Sequence, residues 1–124
     1  MPSLAQIAVA LSCAVGFVAA APAVQPRDAS FTGDLTFYAP GLGACGSYNT
    51  DAEAVVALSA AQFVNSNPCG KTITITKDGK TATATVVDKC PVCADTAIDV
   101  TTTVFQSLVS LDVGRTTVTW YFND

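Results

Sequence analysis

The chain has 124 residues, of which 13% are charged, and its 10 acidic and 6 basic side chains give a formal net charge of −4. This balance argues against binding to nucleic acid or to an anionic membrane, because both require a basic protein surface. The sequence contains no histidine, and it offers no nucleophile and base of the kind that proteolysis needs.

The first predicted element is a targeting segment. Residues 4–21 are almost entirely apolar or small, and the run ends in consecutive alanines, which is typical of a secretory signal peptide cut after Ala20. The alternative is a transmembrane anchor, since the run approaches the roughly 20 residues that span a bilayer. Ser12, Gly16 and Pro22 interrupt the run, so we expect a secreted protein.

Cleavage divides the chain into a signal peptide (residues 1–20), a flexible leader (21–31) and one small domain (32–124). The mature chain keeps an even number of cysteines, which are Cys45, Cys69, Cys90 and Cys93. In a secreted chain this number predicts two disulfides, for which three pairings are possible. A zinc site is the alternative, because the Cys-x-x-Cys pair is a valid half-site; the other two cysteines are too far apart to supply the second half.

Six segments have the alternation or the Val, Ile and Thr content of short strands, and they are 35–38, 54–58, 72–76, 81–87, 97–100 and 117–122. Asp78-Gly79 between the third and fourth segments predicts a hairpin turn. Alternation in the last segment places Val118, Trp120 and Phe122 on one face. Trp120 is therefore predicted to be a core residue rather than a platform for a ligand.

Two short helices are expected between these strands. Ser59 is placed to cap a brief helix, and Thr101 or Thr102 is placed to cap a second one after Asp99. Short strands with Thr-rich outer faces and one or two short helices predict an all-β fold in the form of a small closed barrel. Closure also removes strand edges that would otherwise pair with other chains.

Two acidic residues stand around a Cys-Pro-x-Cys turn. Asp88 lies in Val86–Cys93 and Asp99 in Ala97–Val100, and the apolar pairs beside them place both acids at strand ends next to a groove. Paired carboxylates suit sugar chemistry or sugar binding, and they require neither a metal nor a cofactor. Each acid has a structural alternative: Asp99 could cap the helix that follows it, and Asp88 could hydrogen-bond to its own loop.

Several motifs occur in a characteristic order, and they are Gly33-Asp34-Leu35-Thr36-Phe37-Tyr38, Ala44-Cys45-Gly46, Asn67-Pro68-Cys69-Gly70-Lys71, Val87-Asp88-Lys89-Cys90-Pro91-x-Cys93, Ile98-Asp99 and Val118-Thr119-Trp120. Together they resemble the double-psi β-barrel domain of expansins, barwin-like proteins and RlpA-like proteins. The small secreted fungal expansin-like proteins called loosenins are the most similar group.

This resemblance implies a six-stranded double-psi β-barrel with a shallow polysaccharide groove across one side. The family's essential acid then corresponds to Asp99 and its second acid to Asp88, while Thr36 and Tyr38 complete the polar cluster that binds the substrate. The barwin pattern implies a Cys45–Cys69 disulfide, which leaves Cys90 to pair with Cys93. Plant expansins carry a His-Phe-Asp element that this chain lacks, and the second, carbohydrate-binding domain of full expansins is not expected here.

The expected function is the binding and non-hydrolytic loosening of cell-wall polysaccharide, cellulose or chitin, by a monomer. One alternative is a barwin-like protease inhibitor or effector that binds a protein partner through loops 40–46 and 65–70. Another is a lytic enzyme in which Asp99 is the acid and Asp88 the base, at the carboxylate spacing of an inverting glycosidase.

Overall fold

The computed structural model describes residues 29–64 and 66–123, so the expected signal peptide and most of the expected leader lie outside the described residues. Its strands are β1 (Ser30–Phe37), β2 (Val55–Ser59), β3 (Thr72–Lys77), β4 (Lys80–Cys90), β5 (Ile98–Val100) and β6 (Thr116–Phe122). Helix α1 spans Thr102–Leu108, and 3₁₀ turns span Ala60–Phe63 and Leu111–Val113. Among these residues no helix has the length and apolar character needed to cross a membrane.

The strands close into a barrel in the order β1-β5-β2-β4-β3-β6. The β1–β5 and β2–β4 pairs are parallel, and the other pairs are antiparallel. This confirms the predicted all-β, six-stranded closed barrel. The parallel pairs bring together segments that are far apart in the sequence, and the candidate site residues Thr36 and Asp99 lie opposite each other on the β1–β5 pair.

The hairpin between β3 and β4 turns at Asp78-Gly79, as predicted. Both residues have positive φ angles, 49° and 84°, which is the requirement of the hairpin turn that matches strand twist. Strand β1 begins at Ser30, ahead of the strand segment predicted at residues 35–38. The earlier start is explained by Phe31, whose ring stacks on Trp120 of β6 at a centroid distance of 4.5 Å.

Trp120 lies in the centre of the core, with none of its surface exposed, which confirms the prediction from alternation. Its indole N–H donates a 2.9 Å hydrogen bond to the carbonyl oxygen of Thr96, so the one polar atom of the side chain is satisfied. The largest side chains buried with it are Leu35, Leu58, Ile73, Ile75, Ile98, Phe105 and Leu108.

The residues that cap the helices differ from the prediction. The Ser59 hydroxyl does not cap the turn after it; it donates to the carbonyl oxygen of Asp95 at 2.7 Å. Thr101 holds the N-cap position of α1 without a capping side-chain bond. The cap is Asp51, which accepts hydrogen bonds from the backbone N–H of Thr102 (2.9 Å) and from its hydroxyl (2.5 Å). Asp51 lies in a loop that is far from α1 in the sequence. A capping rule that considers only neighbouring residues therefore cannot identify it.

Candidate functional site

The site is built on the parallel pair β1–β5, in which Thr36 lies opposite Asp99. Leu35 is fully buried, and the Phe37 ring contacts Phe105 of α1 at a centroid distance of 4.8 Å. Because side chains alternate along a strand, Thr36 between them points to the outer face. Its hydroxyl donates a 3.0 Å hydrogen bond to Oδ1 of Asp99.

These two side chains open onto a groove of about 270 Å³. Its lining residues are Asp34, Thr36, Cys90, Val92, Cys93, Ala94, Ala97, Asp99 and Arg115. The Cys-Pro-x-Cys turn therefore forms a wall of the groove, and the rest of the lining carries three charged side chains.

Asp34 and Arg115 are groove residues that the sequence did not reveal. Nη1 of Arg115 lies 3.1 Å from Oδ2 of Asp34. An ion pair as exposed as this one contributes little to stability, so its main effect is on the charge of the groove. Asp34 could have been found, because it stands two residues before Thr36 on the same strand. Arg115 gave no local signal, since only the antiparallel pairing of β1 with β6 brings it there.

Burial raises the pKa of Asp99 above the usual aspartate value, and this is the largest influence on the carboxyl. The hydrogen bond from Thr36 and the charge of Arg115 act in the opposite direction, while the charge of Asp88 raises the pKa further. Asp99 thus keeps its proton more readily than an ordinary aspartate. The protonated carboxyl can donate a hydrogen bond as well as accept one, whereas the ionised carboxylate only accepts. The alternative role as the cap of α1 is wrong, because the side chain of Asp51 accepts the capping hydrogen bond from the backbone N–H of Thr102.

Tyr38 follows the end of β1, and its backbone N–H donates to the carbonyl oxygen of Val100 at 2.9 Å. Its hydroxyl is buried and has no hydrogen-bond partner among the residues that the structure describes. Burial, followed by the charges of Asp88 and Asp99, raises its pKa to about 12. The structure therefore brings Tyr38 close to both acids, although its side chain is not part of the groove lining.

Asp88 holds a loop rather than facing the groove. Its Oδ1 accepts hydrogen bonds from the backbone N–H of Lys89 and from that of Ala44, both at 2.8 Å. The first bond is the local one that the structural alternative for Asp88 predicted, and the second ties a distant loop to β4. Asp88 is not among the residues that line the groove.

The four cysteines of the domain form the disulfides Cys45–Cys69 and Cys90–Cys93, which confirms the pairing that the resemblance implied. Their sulfur atoms are thus engaged with one another and do not form a zinc half-site. Within residues 29–64 and 66–123 no group of three or more cysteine or acidic side chains is arranged to hold a metal ion.

Comparison of the sequence with known proteins gives several relatives, although no protein-family model matches. The chain is 46% identical over 90 residues to "Allergen Asp f 7 homolog" of Arthroderma benhamiae, covering 68% of this chain and 31% of that protein. It is 42% identical over 98 residues to "Allergen Asp f 7" of Aspergillus fumigatus, covering 73% and 36% respectively. The chain therefore spans about a third of the length of these two relatives.

A third relative is matched over most of its length. The papain inhibitor of Streptomyces mobaraensis is 35% identical over 116 residues, which cover 85% of this chain and 81% of the inhibitor. The solved structure of a Streptomyces papain inhibitor superposes with a TM-score of 0.69 at 33% identity, covering 75% of this chain and 93% of that one.

Expansin from Clavibacter michiganensis shares the fold. Its apo structure superposes with a TM-score of 0.69 at 21% identity, covering 77% of this chain and 50% of that chain. A mutant of the same expansin in complex with cellohexaose gives a TM-score of 0.70 at 20% identity, with the same coverage.

Proposed function

Because the chain belongs to the barwin-like double-psi β-barrel family, to which the Streptomyces papain inhibitor also belongs, we propose that it is an extracellular protein that binds cell-wall polysaccharide. The groove beside Thr36 and Asp99 is the binding site, and cellulose or chitin is the ligand. Binding there loosens the contacts between polymer chains without cleaving a glycosidic bond.

The observation that carries this proposal is the Thr36–Asp99 pair in the open groove. The pair presents a hydroxyl and a carboxyl side by side at 3.0 Å, and Asp34 and Arg115 add further hydrogen-bonding groups. Sugar hydroxyls both donate and accept, so a mixed set of this kind matches them. The complex of the Clavibacter expansin with cellohexaose supports the same class of ligand for the fold.

Loosening without hydrolysis is supported by the state of the other carboxylates. An inverting glycosidase needs an acid and a second carboxylate that is free to activate water. Oδ1 of Asp88 already accepts two backbone N–H groups, and Asp34 is paired with Arg115. Asp99 is therefore left without a free partner that could act as a base among the residues that line the groove.

The test is depletion of the mature protein from solution by insoluble cellulose and by chitin, with an assay of the supernatant for new reducing ends. We expect binding without new ends, and we expect Asp99→Asn to weaken binding about tenfold by removing a charge-assisted hydrogen bond. Asp95→Asn is the matched control, because Asp95 is an exposed acid outside the groove lining. Equal binding by Asp99→Asn and the parent protein would overturn the proposal.

A second candidate function is inhibition of papain-like cysteine proteases. It is favoured by the 35% identity that extends over 81% of the papain inhibitor of Streptomyces mobaraensis. Titration of papain with the mature protein tests it directly: inhibition at near-stoichiometric amounts is expected, and full protease activity at a large excess of the protein would exclude it.

A further inference from the structure

Large apolar side chains are exposed on the loops of this small barrel. Five of them in the described part of the chain are more than half exposed, and they are Leu42, Tyr48, Val64, Val92 and Val113. Isolated exposed apolar residues are ordinary, but grouped ones mark surfaces that contact other molecules. The first four belong to three loops that meet around the last residues of β4.

The first loop, residues 41–49, is a small hairpin that displays two of these side chains together. Leu42 and Tyr48 face each other in an isolated antiparallel bridge. The hairpin is fixed to β4 by a 3.1 Å hydrogen bond from the N–H of Cys45 to the carbonyl oxygen of Val87. Asp88 adds the bond to the backbone of residue 44, and the Cys45–Cys69 disulfide links the hairpin covalently to the segment before β3.

The second loop carries Val64 at the end of the 3₁₀ turn after β2. Phe63, the residue before it, lies beneath the ammonium group of Lys89, whose Nζ is 5.1 Å from the ring centroid. Gln62 donates a 3.1 Å hydrogen bond to the carbonyl oxygen of Asp95, which joins this loop to the one after β4. The second loop is therefore attached both to β4 and to the third loop.

The third loop directly follows β4 and has Val92 at its tip. Val92 is 94% exposed, because the Cys90–Cys93 disulfide closes a turn so short that its side chain has nothing to pack against. A disulfide and backbone hydrogen bonds thus restrain loops whose tips are apolar. Such restraint lowers the entropy lost on association, and protease inhibitors that bind as rigid bodies use preformed loops.

We infer that these four residues form the surface that enters the cleft of a papain-like cysteine protease, and we name Leu42, Tyr48, Val64 and Val92 the apolar loop surface. This inference rests on the inhibitory function proposed above and gives it a location. Branched aliphatic side chains beside one tyrosine match apolar protein pockets, in which a few such anchors carry most of the binding energy. Of the four, Val92 alone also lines the groove.

The experiment is a titration of papain with the mature protein and with variants of the apolar loop surface. We expect the Leu42→Ser/Tyr48→Ser double variant to raise the inhibition constant about tenfold or more, and Val64→Ser to raise it by a smaller factor. Val113→Ser is the matched control, because Val113 is the remaining exposed apolar residue and lies in the 3₁₀ turn Leu111–Val113, which belongs to none of the three loops. This control should inhibit papain like the parent protein.

Unchanged melting temperatures are required of each variant, and Leu42→Met/Tyr48→Phe should retain inhibition, since it keeps the apolar surface. If the parent protein does not inhibit papain, the inhibitory function and the apolar loop surface both fail. If the parent inhibits and the Leu42/Tyr48 double variant inhibits equally well, the surface is wrong while the function stands. If the double variant loses binding to cellulose instead of inhibition, the surface extends the polysaccharide groove and the inference is overturned.

Discussion

Asp99 and Asp88 flank the same residue, because Ala57 of β2 lies opposite Asp99 of β5 on one side and opposite Asp88 of β4 on the other. Neighbouring strands lie about 4.8 Å apart, and the strands that carry the two acids are separated by β2 alone. Asp99 faces the groove with Thr36, whereas Asp88 fastens the 41–49 hairpin. Two carboxylates that look alike in the sequence therefore have different roles.

The first prediction concerns the pH dependence of stability. Because the pKa of Asp99 is raised in the folded protein, the folded state keeps a proton that the unfolded state releases. The free energy of unfolding therefore falls as the pH rises from 3.8, the usual pKa of an aspartate, to beyond the raised pKa of Asp99. It stays lower at neutral pH. Asp99→Asn cannot ionise, and its amide oxygen can still accept from Thr36. We expect this variant to be more stable than the parent protein at about pH 7 and to lose this advantage below about pH 4.

Urea unfolding of both proteins at the two pH values measures this difference. An advantage of the same size at both pH values would show that it comes from packing and not from the ionisation of Asp99.

Gly43 is predicted to be required for docking of the 41–49 hairpin. A Cβ atom added at this position would lie 2.4 Å from the carbonyl oxygen of Val87 and 3.3 Å from the side chain of Asp88. Gly43→Ala should therefore lower the free energy of unfolding by about 2 kcal/mol. At Gly41 an added Cβ meets nothing within 4 Å, so Gly41→Ala should change the free energy of unfolding by less than about 0.5 kcal/mol. Chemical denaturation of the two variants measures both values, and equal losses would contradict the proposed contact.

The two disulfides should contribute unequally to stability. Cys45 and Cys69 are separated by 24 residues and Cys90 and Cys93 by 3, and a longer closed loop removes more entropy from the unfolded chain. We expect replacement of Cys45 and Cys69 by serine to cost about 3.5 kcal/mol and replacement of Cys90 and Cys93 to cost about 2 kcal/mol. Urea unfolding of the two double variants gives the order, and the reverse order would mean that the short turn also stabilises the folded barrel directly.

Removal of the Tyr38 hydroxyl is predicted to be harmless to the fold. This hydroxyl is buried without a partner among the described residues, and an unsatisfied buried polar group costs free energy. Tyr38→Phe should therefore be as stable as the parent protein or more stable by up to about 1 kcal/mol. Spectrophotometric titration should also lose the component with a pKa of about 12. A clear loss of stability in this variant would show that the hydroxyl has a favourable partner.

Much of the fold could be predicted from the sequence because strand signals are local. Alternation in 72–76 and 117–122 and the Asp78-Gly79 turn all lie where the structure has them. The helix caps were the main error. Ser59 and Thr101 have the residue types that caps use, but each hydroxyl donates to a carbonyl oxygen from another part of the chain.

The candidate site could be predicted in part. The sequence identified Thr36 and Asp99, and the structure places them in contact in the groove. It did not identify Arg115, which stands outside any motif and reaches the groove through the pairing of β6 with β1. The roles of the four expected site residues in binding and loosening stay predictions.

The sequence by itself determined the properties that depend on neighbouring residues: which segments are strands, which face of each is apolar, where the hairpin turns and how many cysteines can pair. Only the tertiary structure decided which strands lie side by side and which acid faces the groove. The physical reason is that the periodicity of a strand specifies which of its faces is apolar but does not specify which other strand it pairs with. The partner is chosen when the whole barrel closes around one core, and this brings Thr36 to Asp99 across 63 residues of chain.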